Sequence, residues 1–144
     1  MAIAANIGTV IPIVGRVVDL AYDPQRDLVY LANASENAVS VYSVGSGGVI
    51  ATIPTGSSPV SLAVSPDNSK LYVANNGSNT ISIIDLDSQQ RIGDLAVGSR
   101  PDAVAVGTDG LILILGPGGL IRLDPTSGQL LPIAISVPPT PAGI

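Results

Sequence analysis

Short apolar runs alternate with polar turn segments along the chain, which is the pattern of an antiparallel sheet. Four runs of four to six residues occupy positions 60–64, 71–74, 81–86 and 92–97. The segments between them are SPDNS at 65–69, NNGSN at 75–79 and DSQQ at 87–90, and they are rich in residues that accept positive φ or close Asx turns. Four strands joined by hairpins predict one antiparallel meander.

This four-stranded unit repeats along the chain. Residues 17–58 align with residues 59–100 without a gap, at an interval of 42 residues, and about thirteen pairs are identical. A repeat of this length is typical of propeller blades or of a solenoid. No window shows the i, i+3, i+4 spacing of helical repeats. A third, shorter copy follows, in which Val104, Ala105, Val106 and Asp109 repeat Leu62, Ala63, Val64 and Asp67.

Several runs are apolar at consecutive positions, such as Ile83 with Ile84 and the whole of residues 111–115. Such runs indicate sheets that are buried on both faces, as they are when blades stack face to face. The sequence therefore predicts an all-β chain of about three β-propeller blades, each a four-stranded antiparallel meander.

The repeat also predicts the boundaries of the blades. Blade 1 covers residues 17–58, blade 2 covers 59–100 and blade 3 covers 101–138, with an outer strand at 130–137. Residues 8–11 resemble residues 47–50, so we expect residues 1–16 to supply the outer strand of a preceding blade. Residues 139–144 form a tail or a link to another blade.

The residues of the second copy carry a family resemblance. The run GSSPVSLAVSPD at 56–67, followed by LYVAN at 71–75 and ISIID at 81–85, resembles the YVTN β-propeller repeat of bacterial and archaeal surface proteins. The resemblance covers residues 17–106. The third copy departs from it, because Gly107 and Thr108 stand where Ser-Pro would be, and residues 116–119 replace the Asn-rich loop. The resemblance implies a propeller domain at a cell surface.

A three-bladed array is open at both ends and exposes one apolar sheet face at each end, which a soluble monomer rarely tolerates. Three arrangements would cover these faces. The chain can be a piece of a longer propeller, two copies can close a six-bladed ring, or the end faces can pack on each other without forming a ring.

Composition removes most catalytic chemistry. The sequence has no cysteine and no histidine, which excludes disulfides, thiolate nucleophiles, Cys-based zinc sites and the commonest general base. We expect no cofactor and no metal. Asp19, Ser61 and Asp102 are the polar side chains near the predicted channel strands on which catalysis could depend. A lactonase or other hydrolase fragment is therefore an alternative supported by fold alone.

Charge and hydropathy limit which kinds of partner and which cellular location we expect. The net charge is −5 and only 12% of residues are charged, so we expect no nucleic-acid binding. No run approaches the ~18 apolar residues of a membrane span. Many Ser, Thr, Asn and Gly residues favour an extracellular or cell-surface protein. Residues 1–14 lack a basic start and contain Pro12, so they predict a strand and not a signal peptide.

The leading function is a non-catalytic scaffold that contacts a protein or a glycan through its loops, and the alternative is a spacer that associates with copies of itself. For Asn33 and Asn75, a structural role in Asx-turn or left-handed geometry is favoured over ligand contact. The candidate contact residues lie in the Asn-rich loops and the inter-blade links, at one end of the blades: Asn33, Glu36, Asn37, Ser57, Ser58, Asn75, Asn76, Ser78, Asn79, Ser99 and Arg100.

The remaining acidic residues predict little chemistry. Asp67, Asp85 and Asp87 supply oxygen ligands of the kind that calcium prefers, but their spacing fits no calcium loop, and Asp85 is expected to anchor a turn. Asp19, Asp23 and Asp27 fall in a stretch flanked by loops, and they are expected to be solvated.

Overall fold

The structure, a computed structural model, describes residues 10–131 of the 144-residue chain. Within them it contains twelve β-strands and no helix, and hence no helix long and apolar enough to cross a membrane. The strands are β1 (Val17–Asp23), β2 (Leu28–Asn33), β3 (Ala38–Ser43), β4 (Gly48–Pro54), β5 (Pro59–Val64), β6 (Lys70–Asn75), β7 (Thr80–Asp85), β8 (Gln90–Ala96), β9 (Ala103–Val106), β10 (Ile112–Gly116), β11 (Gly119–Leu123) and β12 (Leu130–Leu131).

The strands form three four-stranded antiparallel sheets, each in sequence order: β1-β2-β3-β4, β5-β6-β7-β8 and β9-β10-β11-β12. We call them blades 1, 2 and 3. Of the innermost strands, β5 packs against β1 on one side and against β9 on the other, whereas the outer strands β4 and β8 hardly touch. The sheets therefore converge on one side and diverge on the other, and the predicted all-β propeller class is confirmed.

The 42-residue interval extends to irregularities of the backbone. A bulge between Val17 and Asp19 in β1 recurs between Pro59 and Ser61 in β5. A second bulge at Val41/Tyr42 recurs at Ile83/Ile84. Bulges bend a strand and increase its twist, so both blades curve in the same way and their faces remain complementary.

The two predicted outer strands at the ends of the chain fall partly or mostly outside the described residues, so both stay predictions. Most of the predicted strand at 130–137 lies outside the described residues, and the part inside is the two-residue β12. Of the predicted strand in residues 1–16, the described part, residues 10–16, pairs with no other strand. Pro12 cannot donate to a ladder, and the described residues contain no preceding blade with which this segment could pair.

Two apolar clusters hold the three blades together, and β6 contributes to both. Leu71 and Val73 pack with side chains of blade 1, including Tyr30, whereas Tyr72 and Ala74 pack with side chains of blade 3. Alternate residues of a strand point to opposite faces. Blade 2 is therefore buried on both faces, as the consecutive apolar residues predict.

The outer faces of blades 1 and 3, which we call the end faces, carry exposed apolar side chains. Asp19 and Ala21 face blade 2, so the alternating Leu20 and Tyr22 point away from it, and they are 61% and 53% exposed. Leu115 and Leu120 are each 50% exposed on the far side of blade 3. Ile11, next to the first end face, lines a small cavity of about 160 Å³ over β2.

Candidate functional site

Polar side chains on the innermost strands hold the next blade in place. Asp19 accepts a hydrogen bond from the backbone N–H of Leu62 at 2.8 Å. Ser61, one repeat further on, accepts a hydrogen bond from the N–H of Val104 at 3.1 Å. These side chains join neighbouring blades, and they are two of the three groups that the sequence offered for the alternative, catalytic function.

The third of these polar side chains, Asp102, lies in the link before β9. Its carboxylate accepts hydrogen bonds from Asn76 Nδ2 at 2.8 Å and from Arg100 Nε at 3.0 Å. Asp102 therefore joins a loop of blade 2 to the link that enters blade 3.

One end of the blades brings together the hairpin loops and the inter-blade links that the sequence singled out, and we call it the link end. The N–H of Ser58 donates to Asn37 Oδ1 at 2.9 Å, and the N–H of Ser57 donates to Ser78 Oγ at 3.0 Å. Asn76 donates to the carbonyl oxygen of Pro101 at 3.2 Å. The links are thus bonded to loops of the blades on both sides.

The other candidate contact residues of the link end differ in their roles. Asn37 and Asn79 adopt positive φ, at 52° and 56°, which is the left-handed geometry that closes a hairpin. Glu36, Ser99 and Arg100 are exposed.

Asn33 and Asn75 are buried, so they do not belong to an exposed contact surface, and neither has positive φ. Their amide groups instead hold the chain locally. Asn33 Nδ2 donates to the carbonyl oxygen of Val14 at 2.6 Å, and Asn75 Nδ2 donates to Ser82 Oγ at 2.8 Å. The left-handed geometry that was considered for this pair is found at Asn37 and Asn79.

The link crosses Asn75 closely at Gly56, so a larger residue there would displace the side chains of Asn75 and Ser78. A Cβ atom at Gly56 would lie 2.7 Å from Asn75 Nδ2 and 2.5 Å from Ser78 Oγ. The amide of Asn75 thus shapes the entry into blade 2.

The opposite end of the blades, which we call the turn end, contains a buried ion pair that sequence reasoning missed. Asp23 was expected to be solvated, but it is fully buried. It accepts hydrogen bonds from Arg26 Nη1 at 2.8 Å, Asn68 Nδ2 at 3.0 Å and the hydroxyl of Tyr30 at 3.1 Å. Arg26 also donates to the carbonyl oxygen of Asn68 at 3.0 Å and pairs with Asp87 of blade 2.

The electrostatics of this cluster favour the ionised pair. Burial raises the pKa of Asp23, but the hydrogen bonds from Asn68, Arg26 and Tyr30 outweigh burial and hold it below the usual value. Burial raises the pKa of Tyr30 to about 12, so its hydroxyl keeps its proton. The cluster joins blades 1 and 2.

The acidic residues that were considered for calcium serve separate turns and ion pairs. Asp85 accepts hydrogen bonds from the N–H groups of Asp87 and Ser88, at 3.0 Å and 2.9 Å, which is the expected turn anchor. The Ser88 N–H and the Lys70 ammonium lower the pKa of Asp85 to about 2. Among the described residues, no group of three His, Cys, Asp or Glu side chains could hold a metal ion.

Comparison with known proteins identifies the family. A family model described as "Lactonase, 7-bladed beta-propeller" matches residues 14–104, more than half of the chain. The chain belongs to this lactonase-type seven-bladed β-propeller family. No curated protein matches the sequence.

Solved structures agree with the propeller fold of this family. Kuenenia stuttgartiensis hydrazine synthase superposes with a TM-score of 0.74 at 21% identity, over 87% of this chain and 37% of that one. The β-propeller domain of Myceliophteria thermophila Cps50 (Swd1) gives 0.68 at 13% identity, over 81% and 38%. The structure of U3-55K gives 0.73 at 14% identity, over 85% and 40%. At these identities the likeness concerns the fold alone.

The chain is much shorter than the propellers with which it was compared. It spans about two fifths or less of the three propeller structures, and its described residues form three blades where the family has seven.

The buried pair predicts an unequal response to the loss of two arginines. Replacing Arg26 with alanine leaves the buried carboxylate of Asp23 without its ion-pair partner, and we expect a loss of about 3–5 kcal/mol of unfolding free energy. The matched control is Arg91→Ala, because Arg91 and Asp94 form a 3.7 Å pair with both side chains 38% exposed. That loss should be about 0–1 kcal/mol. Urea unfolding measures both.

A double variant separates the charge from the packing of the arginine side chain. Arg26→Ala combined with Asp23→Asn removes the unpaired charge, so the double variant should have a higher free energy of unfolding than Arg26→Ala alone. Equal losses for Arg26→Ala and Arg91→Ala would show that the buried ion pair does not stabilise the junction of blades 1 and 2.

Proposed function

We propose that this chain is a non-catalytic β-propeller scaffold of a secreted or cell-surface protein, and that it contacts a protein or a glycan through its link end. The observation that carries the proposal concerns the innermost strands, where a propeller hydrolase would place its reactive groups. There, Asp19 and Ser61 bond to the backbone of the following blade. A carboxylate or hydroxyl committed to an inter-blade bond is poorly placed to act as base or nucleophile.

The order of the link end supports a role in recognition. Its loops are bonded to the links before any partner arrives, as in the bond from Ser58 to Asn37. A surface that is already ordered loses less conformational entropy when it binds. Exposed polar side chains project from this ordered backbone: Glu36, Asn37, Ser57, Ser78, Asn79, Ser99 and Arg100.

The assignment to a YVTN-type repeat and to the outside of the cell is part of the same proposal. It is supported by the runs GSSPVSLAVSPD and LYVAN, by the low content of charged residues and by the many Ser, Thr, Asn and Gly residues.

A second candidate function is lactone hydrolysis, and the family match over residues 14–104 favours it. Asp19 and Ser61 on the innermost strands, and Asp102 just before β9, are acidic or hydroxyl side chains that such a reaction could use. The absence of histidine would leave Asp19 as the base for water attack on a lactone carbonyl.

Binding to a glycan array tests the scaffold function directly. We expect the wild-type chain to bind a subset of glycans, and the double variant Glu36→Lys with Ser99→Lys to lose that binding, because it changes two exposed side chains of the link end. Ser46→Lys is the control, because Ser46 is exposed in the β3–β4 loop at the turn end. Glycan binding that survives the double variant but is lost in the control would contradict the proposal.

The same preparation separates the scaffold from the hydrolase. We expect opening of glucono-δ-lactone at the rate of the buffer blank, with and without added calcium or zinc. Faster opening that Asp19→Asn abolishes, in a variant that still unfolds cooperatively, would establish the second candidate in place of the first.

The exposed end faces support a further proposal, self-association. Leu20, Tyr22 and Leu115 are exposed to solvent in the single chain, and contact between copies would cover them. Light scattering should give about twice the monomer mass of 14.4 kDa. Leu20→Lys should return the monomer, whereas Ile92→Lys should not, because Ile92 is similarly exposed (56%) but lies on the outer strand of blade 2. A monomeric wild-type chain would refute self-association.

A further inference from the structure

A cleft of about 390 Å³ opens at the turn end between blades 2 and 3. Three loops surround it: the β5–β6 loop at 65–69, the β9–β10 loop at 107–111 and the β11–β12 loop at 124–129. It lies at the opposite end of the blades from the candidate contact residues.

Each of the three loops places one aspartate in the cleft. Asp67, Asp109 and Asp124 use their Oδ1 atoms to close their own turns, by accepting hydrogen bonds from the N–H groups of residues 69, 111 and 126 at 3.1, 3.0 and 2.8 Å. Within the described part of the chain, their Oδ2 atoms accept no hydrogen bond. The hydroxyls of Ser65 and Ser69 help to lower the pKa of Asp67 to about 2, which keeps it ionised.

The cleft has an excess of negative charge. Lys70 is the one basic residue in its lining, and its ammonium group pairs with Asp85 Oδ2 at 3.2 Å. The three aspartates are not arranged as a metal site, since no group of three acidic residues in the described part of the chain could hold one. The cleft therefore suits an extended organic cation better than a metal ion.

Tyr72 provides an independent sign of a missing partner. The residue is 6% exposed, its ring packs in the cluster between blades 2 and 3, and it lines the cleft. The described residues offer its hydroxyl no hydrogen bond. Tyr30, one repeat earlier, donates to Asp23 at 3.1 Å and accepts from Gln89 Nε2 at 3.2 Å. A tyrosine side chain buried to this extent usually finds a hydrogen-bond partner for its hydroxyl, and here the hydroxyl is left to the cleft.

The boundary between blades 1 and 2 shows what fills the corresponding space. There the same three loops, one repeat earlier, enclose the guanidinium of Arg26, which contacts Asp23, the carbonyl oxygen of Asn68 and Asp87. In the 42-residue alignment Asn68 takes the place of Arg26. Its side chain points back to blade 1, where it donates to Asp23 and Gln25. The boundary between blades 2 and 3 thus has carboxylates and a tyrosine but no guanidinium.

We propose that this cleft binds a guanidinium group, in particular that of an arginine side chain in a partner protein. The planar guanidinium carries five N–H donors that match carboxylate oxygens, and a lysine ammonium does not reproduce this arrangement. The chain does not supply the group itself to this cleft, because residues 1–9 and 132–144 contain no lysine or arginine and no arginine lines it. The site is separate from the link end, so either proposal can fail without the other.

Titration of the whole chain with small probes, followed by ¹⁵N NMR, tests the cleft. The probes are Nα-acetyl-L-arginine methylamide, its lysine and citrulline counterparts, and free L-arginine. We expect the arginine methylamide to shift amide signals of residues 65–72, 107–111 and 124–126 at millimolar concentration. Citrulline has nearly the same shape without the charge and should cause no shift, and lysine should bind more weakly than arginine.

Three variants locate the binding. Asp109→Asn and Asp124→Asn keep the Oδ1 acceptor of each turn and remove the charge, so each should weaken binding about fivefold or more. Tyr72→Phe removes only the hydroxyl and should weaken it about threefold or more. Glu36→Gln removes the same charge at the link end and should leave binding unchanged.

The relative affinities of the probes identify the ligand. Stronger binding of the methylamide than of free arginine supports an arginine within a protein chain, and the reverse order assigns the site to a free guanidinium compound instead. Equal binding of the citrulline probe, or wild-type affinity in both aspartate variants with their spectra otherwise intact, would overturn the proposal. No shift with any probe would overturn it as well.

Discussion

Burial of both faces of blade 2 is the interaction on which the whole array depends. Hydrogen bonds hold each meander together within its own plane, but only contact between faces removes its apolar side chains from water. In β6, Leu71 and Val73 meet blade 1, whereas Tyr72 and Ala74 meet blade 3. Stability in such an array is close to a sum of terms between neighbours. Blade 2 has two such terms, and blades 1 and 3 have one each within the described residues.

Hydrogen bonds between blades fix how neighbouring sheets are oriented, which apolar burial alone does not do. At the innermost strands the same bond is made twice, because Asp19 of blade 1 and Ser61 of blade 2 each accept a hydrogen bond from a backbone N–H of the following blade. At the turn end the two boundaries differ, because Arg26 fills the first and the second remains an open cleft. The repeat thus provides two equivalent positions, and the proposed binding site lies where the second copy departs from the first.

The sequence predicted the features that depend on periodic signals. The interval of 42 residues, the four strands of blade 2 and its doubly buried sheet all follow from short apolar runs. The left-handed residues were placed less accurately, because positive φ is found at Asn37 and Asn79 and not at Asn33 and Asn75. The buried position of Asp23 could not be predicted in this way. The partners that Asp23 and Arg26 find in the next repeat are Asn68 and Asp87, and serine replaces the aspartate there at position 65, so neither spacing nor repetition indicates the pair. The sequence also does not predict that the Tyr72 hydroxyl lacks a partner among the described residues, because the tyrosine itself repeats while its surroundings do not.

Native-state hydrogen exchange tests the central role of blade 2 most directly. If contacts on both faces stabilise it, the amides of β6 and β7 should exchange most slowly, through unfolding of the whole array. The amides of β2, β3 and β10, in the blades covered on one face, should exchange sooner through partial opening. Slowest exchange in blade 1 or blade 3, with β6 and β7 opening first, would contradict the account.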